Sequence, residues 1–374
     1  MKKKILILMG RYLPGYKDGG PLRTIINLTD TFGEKYDFFV ACLDRDHGDT
    51  VPYQNIQYNC WNLVGKAKVW YVPDEKFTYA ILKKLIYGID VVYVCGFYND
   101  YGYKTLILNR IGKIKVPVYV ASMGTFSQGA LSHKTFKKKS FIFICKLFGL
   151  FKKITWSVTS DLEAKDMQAI IGKTAKFIIA EDLPRKSIPG PGERNLVEKS
   201  IVFLSRICPQ KNLLGAIKAV EGLKDDVSFD IYGPKEDLEY WNKCEKELMG
   251  LPKNIVWRYC GNVPTERVQS ILQKYNIFLF PTLGENYGHV IFEALSVGCI
   301  PIISDQTPWG IVGAKKAGMI LPLSENMNNF SDALSQILNL SKKEKERISY
   351  EAMQIAKEKV LASKKSSGYI KIFG

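Results

Sequence analysis

Histidine is nearly absent from this chain, with three in 374 residues. The eight cysteines contain no CxxC pair and the histidines no HxxxH pair, which leaves no zinc signature and no disulfide framework of the secreted kind. The reducing cytoplasm is the compartment that fits. Long apolar runs are missing too, since nothing approaches the roughly 18 consecutive apolar residues of a spanning helix. The run Ile5 to Met9 follows three lysines, but Gly10 and Arg11 interrupt it, so it reads as a buried first strand and not as a signal peptide. Acidic residues vanish between Asp100 and Asp161, while that interval carries Lys104, Arg110, Lys113, Lys115, Lys134, Lys137, Lys138, Lys139, Lys146, Lys152 and Lys153. Much of the formal charge of +16 therefore sits in one region. Lysine dominates the excess and no nucleic-acid motif accompanies it, which argues against a nucleic-acid partner.

What is present is an alternation of short apolar runs and helical patterns. Lys4 to Met9 reads as a parallel strand, followed by a loop through Pro14, Gly15, Gly19 and Gly20 and a helix carrying Leu22, Ile25, Ile26 and Leu28. Gly19 and Gly20 allow backbone N–H groups to approach an anion; the loop has no GxGxxG, and an ordinary flexible turn explains it as well. Strands follow at 38–43, 69–72, 91–95, 116–121, 155–159 and 176–180, with helices near 77–86, 103–111 and 162–170. Such alternation means βαβ units and a mostly parallel sheet. Asp44-Arg45-Asp46 is a literal DxD, a spacing able to hold a divalent metal, but so short a motif is common by chance and no metal site is assigned to it.

Pro184 to Gly192 punctuates the chain as a linker would. A second series then starts at Ser200, with strands at 201–204, 228–232, 255–259, 277–280 and 300–303 and a helix over 213–223. The expected organisation is an N-terminal domain at 1–184, a linker at 185–199, a C-terminal domain at 200–355 and a helical, charged tail at 356–374 that is free to return to the first domain.

The most informative stretch runs from Leu279 to Leu295. A strand delivers a Gly-rich polar loop to the carboxyl edge of a sheet, where open α/β folds place ligands. Gly288 stands where a helix start would offer N–H groups to a phosphate. Glu285 precedes that helix and Glu293 lies inside it, so the two carboxylates need partners other than the anion, such as sugar hydroxyls. An acidic first turn is the plainer explanation of the same pattern. Arg206 and Lys211, in the loop after the first strand of the second series, are candidate cations for a phosphate.

A helical wheel over Phe136 to Phe151 puts Phe136, Phe143, Ile144, Leu147, Phe148, Leu150 and Phe151 on one arc, and Lys138, Lys139, Cys145 and Lys146 on the other. Two readings stand: a basic helix in the interface of an anionic membrane, or a surface helix packed on its own domain.

Together these residues resemble the retaining glycosyltransferases of the GT-B fold, in particular the large fourth family, the glycosyl transferases group 1 of bacterial polysaccharide and glycolipid synthesis. The resemblance is carried by Gly19-Gly20, Arg206 with Lys211, Tyr259-Cys260-Gly261, Phe280-Pro281-Thr282, Glu285 with Glu293, and Gly298 to Asp305. It implies an α/β chain of two Rossmann-like domains with parallel sheets facing across a cleft. It implies that Arg206 and Lys211 hold the diphosphate of a nucleotide-sugar donor, that Glu285 touches the transferred sugar, and that Glu293 binds the ribose. Asn286, Tyr287, Gly288 and His289 would present backbone N–H groups, Gly261, Asn262 and Val263 would lie along the nucleoside, and Gly19 and Gly20 would close over the phosphates. No metal and no other cofactor is implied. The family's N-domain His is replaced here by Ser122-Met123-Gly124, so Met123, Gly124, Thr125 and His133 become the acceptor-side candidates. The implied reaction is transfer of a hexose from a UDP-linked donor to a glycan or lipid-linked acceptor. The alternatives are a sugar-nucleotide epimerase of the same fold and a non-catalytic partner subunit. The implied location is cytoplasmic or on the inner membrane face, through Lys134 to Lys153.

Overall fold

The computed structural model describes residues 2–73, 76–126, 135–193 and 195–374. Two units divide the chain, Met1–Leu183 with Ser363–Gly374, and Pro184–Ala362.

The first unit is built on an eight-stranded sheet of β1 (Lys4–Leu8), β2 (Asp37–Leu43), β3 (Asn62–Val64), β4 (Ala67–Val72), β5 (Val91–Cys95), β6 (Val118–Ala121), β7 (Thr155–Val158) and β8 (Phe177–Ile179). Their order is β3-β4-β2-β1-β5-β6-β7-β8, and every pair is parallel except β3–β4. The central strands are continuous apolar runs because helices cover both faces; all five residues of β5 are buried. The short β3 escaped the sequence reading, since Asn62, Leu63 and Val64 form only an edge and Leu63 points into solvent.

The C-terminal helix Gly368–Phe373 belongs to this unit and inserts Tyr369, Ile372 and Phe373 into its core. Phe373 meets Tyr36, Phe38 and Tyr93 edge-on at 5.7, 5.9 and 5.8 Å between ring centroids, a favoured aromatic geometry. At Gly368 an added Cβ would stand 1.9 Å from the Ile179 carbonyl oxygen, so the backbone approach requires glycine.

The helix Thr135–Leu147 corrects the wheel. Its packed face carries Ile142 and Cys145, with Phe141 half-buried against Tyr98. Phe143, Ile144, Leu147 and Phe148 are instead 50–70% exposed. The helix is apolar on two sides, and the aromatic cluster of Phe97, Tyr98 and Phe141 selects the side that faces inward. Cys145, assigned above to the charged side, is 1% exposed. Lys134 lies outside the described residues.

The second unit has a six-stranded parallel sheet of β9 (Ser200–Leu204), β10 (Val227–Tyr232), β11 (Ile255–Gly261), β12 (Ile277–Phe280), β13 (Ile300–Ser304) and β14 (Met319–Leu321), in the order β11-β10-β9-β12-β13-β14. The order reverses between β9 and β12, so connections leave those two strands in opposite directions and open a crevice at their carboxyl ends. The helix Lys342–Ser366 begins in this unit and ends in the first. Among the described residues no helix is long and apolar enough to cross a membrane.

Asp182 follows β8 and is half-buried, and the desolvation pushes its carboxyl up to about 7 against a hydrogen bond with Thr24 that favours the ion. The native state therefore holds more protons than the unfolded chain between about 4 and about 7, and this group costs stability as pH rises through that window. Asp182→Asn should melt progressively higher than the wild type as pH is raised from about 4 to about 7; a difference independent of pH in calorimetry would contradict this.

Candidate functional site

At the reversal in the second unit, the loop after β9 is stitched to the loop after β12. The Gln210 carbonyl accepts from the Leu283 amide (2.9 Å) and the Thr282 hydroxyl (3.1 Å), and the Gln210 side-chain amide donates to the Gly284 carbonyl (3.2 Å). Asn212 stands in the left-handed region (φ 56°), which Asn tolerates better than most residues. From there it caps the helix Leu213–Glu221 through the Gly215 amide (3.1 Å) and donates to the Pro281 carbonyl (2.8 Å). The loop after β13 joins them: the Ser304 hydroxyl donates to the Thr282 carbonyl (2.6 Å) and the Glu285 amide to the Gln306 carbonyl (3.0 Å).

This stitching brings Lys211 and Glu285 into an ion pair with side chains only 13% and 12% exposed. The Lys211 ammonium also lies 5.9 Å from the centre of the Phe280 ring. Arg206 leaves the same loop but pairs with Glu236 near the surface. Asn286 is exposed. Tyr287 is buried, its carbonyl accepting from the Trp309 indole (2.5 Å) and its ring meeting His289 at 4.7 Å. Gly288, at φ 75°, caps the helix His289–Ser296. A first helical turn offers N–H groups without intrahelical partners, so the loop ends on a positive terminus. Glu293 is buried one turn further in.

Gly261 ends β11, and Asn262 and Val263 follow it. The Gly261 carbonyl accepts from the Gly233 amide (2.8 Å), and the Val263 amide donates to the Asn262 side chain (2.9 Å). Gly233 has φ 134°, and a Cβ there would fall 1.7 Å from the Ser205 carbonyl oxygen. The turn after β10 thus presses on the backbone that carries Arg206.

Arg206, Lys211, Glu285 to His289, Glu293 and Gly261 to Val263 accordingly gather on one unit. Gly19, Gly20, Met123, Gly124 and Thr125 belong to the other. Gly19 precedes the helix Gly20–Phe32 at φ 62°, and its loop is pinned by Asp46, whose carboxylate accepts from the amides of Tyr16 (2.8 Å), Lys17 (3.2 Å) and His47 (2.8 Å). Asp44 bonds Arg45 (2.8 Å) and the Tyr58 hydroxyl (2.9 Å). The DxD is thus occupied with holding loops, and no metal-binding group of three or more such side chains is found among the described residues. Met123 and Gly124 turn at φ 49° and 71° after β6. His133 lies outside the described residues.

Several organising residues escaped the sequence reading: Gln210, Asn212, Glu236 and Glu163. Glu163 is 6% exposed and accepts from Ser122 Oγ (2.7 Å), the Gly124 amide (2.7 Å), the Thr159 amide (2.6 Å) and Thr159 Oγ1 (2.8 Å). Its one visible signal is the Ser160-x-x-Glu163 spacing of a capping box, and the Ser160 hydroxyl does cap the Glu163 amide (3.2 Å).

Residues 185–354 match the family described as glycosyl transferases group 1. The whole chain has the GT-B fold, as its likeness to solved structures shows. HepE of Anabaena in complex with UDP-glucose superposes with a TM-score of 0.66 at 13% identity, over 96% of this chain and 95% of that one. The UDP-forming alpha,alpha-trehalose-phosphate synthase of Burkholderia xenovorans gives 0.70 at 11% identity, over 100% of both chains. A TarM mutant of S. aureus, in complex with UDP, Fondaparinux and alpha-GlcNAc-glycerol, gives 0.68 at 13%, also over 100% of both. No curated protein matches the chain at the level of sequence.

Within the second unit, Gly233→Ala should cost about 1–3 kcal/mol, because both the left-handed φ and the contact with Ser205 resist a side chain. A melting temperature within a degree of the wild type would show that the turn after β10 yields freely.

Proposed function

We propose that the protein transfers a hexose from a UDP-linked donor to a glycan or lipid-linked acceptor with retention of configuration, without a metal, in cell-surface polysaccharide or glycoconjugate synthesis. The observation that carries this reading is the partly buried Lys211–Glu285 pair at the strand reversal of a group 1 unit. It stands one loop away from the helix start at Gly288. UDP-bound neighbours of the same fold support the choice of donor.

Each group then has work that its chemistry suits. Lys211 and Arg206 neutralise the diphosphate as charge develops on the leaving UDP, a form of stabilisation effective where water is scarce. Glu285 accepts hydroxyls of the transferred sugar and Glu293 those of the ribose, while the backbone of Asn286 to His289 donates to sugar and phosphate. Gly261, Asn262 and Val263 lie along the nucleoside. In the reaction the bond from the anomeric carbon to the UDP oxygen breaks, the acceptor oxygen bonds the same face, and its proton passes to a phosphate oxygen of the leaving group. No protein nucleophile is needed.

A panel of nucleotide sugars offered with candidate glycan acceptors should yield transfer from a UDP-sugar, undiminished by EDTA and with the anomeric configuration kept. Lys211→Ala should lower kcat by at least 100-fold, the scale of losing one such electrostatic donor, while circular dichroism stays native. Turnover within a few-fold of the wild type would remove Lys211 from the mechanism, and conversion of the donor without an acceptor would favour an epimerase.

In this reading the acceptor lies at an anionic membrane surface that the helix Thr135–Leu147 meets with its lysines. The exposed stripe Phe143, Ile144, Leu147 and Phe148 beside Lys137, Lys139 and Lys146 supports this. At about 1 kcal/mol per lysine near such a surface, replacing Lys137, Lys138 and Lys139 by Gln should weaken co-sedimentation with phosphatidylglycerol vesicles on the order of 100-fold. Unchanged sedimentation would count against the membrane.

A further inference from the structure

The exposed stripe does not end at the helix surface. Between the helices Asp100–Arg110 and Thr135–Leu147 lies a cavity of about 640 Å³ whose walls include Ile107, Ile111, Phe141, Ile144, Phe148 and Leu150. That volume is within the ~300–1,000 Å³ of ordinary ligand sites. Ile144 and Phe148, the latter just past the helix end, belong both to its wall and to the exposed stripe. The apolar surface is therefore continuous from Phe143 and Leu147 into the cavity.

Its polar features have one sign. Arg110 is part of the wall, and no acidic residue occurs between Asp100 and Asp161. Gly149, at φ 63°, allows Arg110 and Lys152 to converge: a Cβ there would lie 3.3 Å from Arg110 Nε and 3.3 Å from Lys152 Cδ. An apolar cavity with a guanidinium in its wall is complementary to a hydrocarbon chain that carries a phosphate.

We infer that this cavity takes one acyl chain of an anionic bilayer phospholipid, with Arg110 on its phosphate. The inference rests on the membrane reading above but assigns a different element of it. The stripe of Phe143 and Leu147 rests on the bilayer, whereas the cavity withdraws a chain from it and binds one lipid at a defined place. Binding is then saturable and one to one, which surface adsorption is not.

The test uses the full chain and dihexanoylphosphatidylglycerol below its critical micelle concentration, followed by calorimetry, beside sedimentation with long-chain phosphatidylglycerol vesicles. Saturable binding of the monomeric lipid is expected, at least tenfold tighter than that of dihexanoylphosphatidylcholine. Ile144→Asp, at a half-exposed wall position, should weaken it at least tenfold with the fold retained. Arg110→Gln should erase the preference for the anionic headgroup. Leu147→Asp, outside the wall, should leave monomer binding intact and reduce vesicle sedimentation. If the monomeric lipid fails to bind while vesicles still sediment, the cavity is no lipid site and the membrane reading survives. If neither binds, both fall. Monomer binding untouched by Ile144→Asp and Arg110→Gln would also overturn the assignment.

Discussion

The second unit depends on two loops being held at a fixed separation where the strand order turns round. The Gln210 carbonyl, accepting from both Thr282 and Leu283, and the Asn212 side chain, reaching Pro281, do the holding. Lys211 and Glu285 meet as a result. A pair so placed contributes little net stability, because desolvation offsets most of the Coulombic attraction. Its value is positional: an ammonium and a carboxylate kept out of bulk water, with their directions set before any ligand arrives. The crevice itself follows from strand order alone, and the polar stitching turns it into a site with a polarity.

Much of this was legible from residues. The runs Val91 to Cys95 and Ile277 to Phe280 announce strands because both faces of a parallel sheet are covered, leaving no polar alternation to confuse the pattern. The two glutamates, the cations and the glycines could be named because the chemistry of phosphate and sugar recognition draws on few residue types. The partners were not legible. Nothing local marks Glu236 as the carboxylate that meets Arg206, 30 residues away, or Gln210 as the residue that bridges 74 positions to Gly284. Such contacts are set by strand order, which periodicity does not report. The helix Thr135–Leu147 failed in another way: with two apolar sides, its wheel holds no information about which one the aromatic cluster will claim.

The first unit shows a different use for buried carboxylates. Glu163 and Asp46 each spend their acceptor capacity on backbone amides and hydroxyls of irregular segments, Glu163 on the turn at Gly124 and Asp46 on the loop before Gly19. A carboxylate can accept several hydrogen bonds at once and return no donor, which suits it to fixing a loop whose own amides have no strand or helix to satisfy them. Asp44-Arg45-Asp46, to which its letters assign no metal site, divides its carboxylates between two tasks. Asp46 holds the glycine loop that the resemblance pointed to, and Asp44 bonds Arg45 and the Tyr58 hydroxyl.

The placement of Tyr369, Ile372 and Phe373 in the core of the first unit orders events during synthesis. Residues 2–183 emerge from the ribosome first, yet the aromatic surface of Tyr36, Phe38 and Tyr93 waits for residues made almost 200 positions later. The first unit thus spends the whole of the second unit's translation with an open apolar seam, a condition that invites chaperone capture or aggregation. The helix Gly368–Phe373 is the piece that closes it.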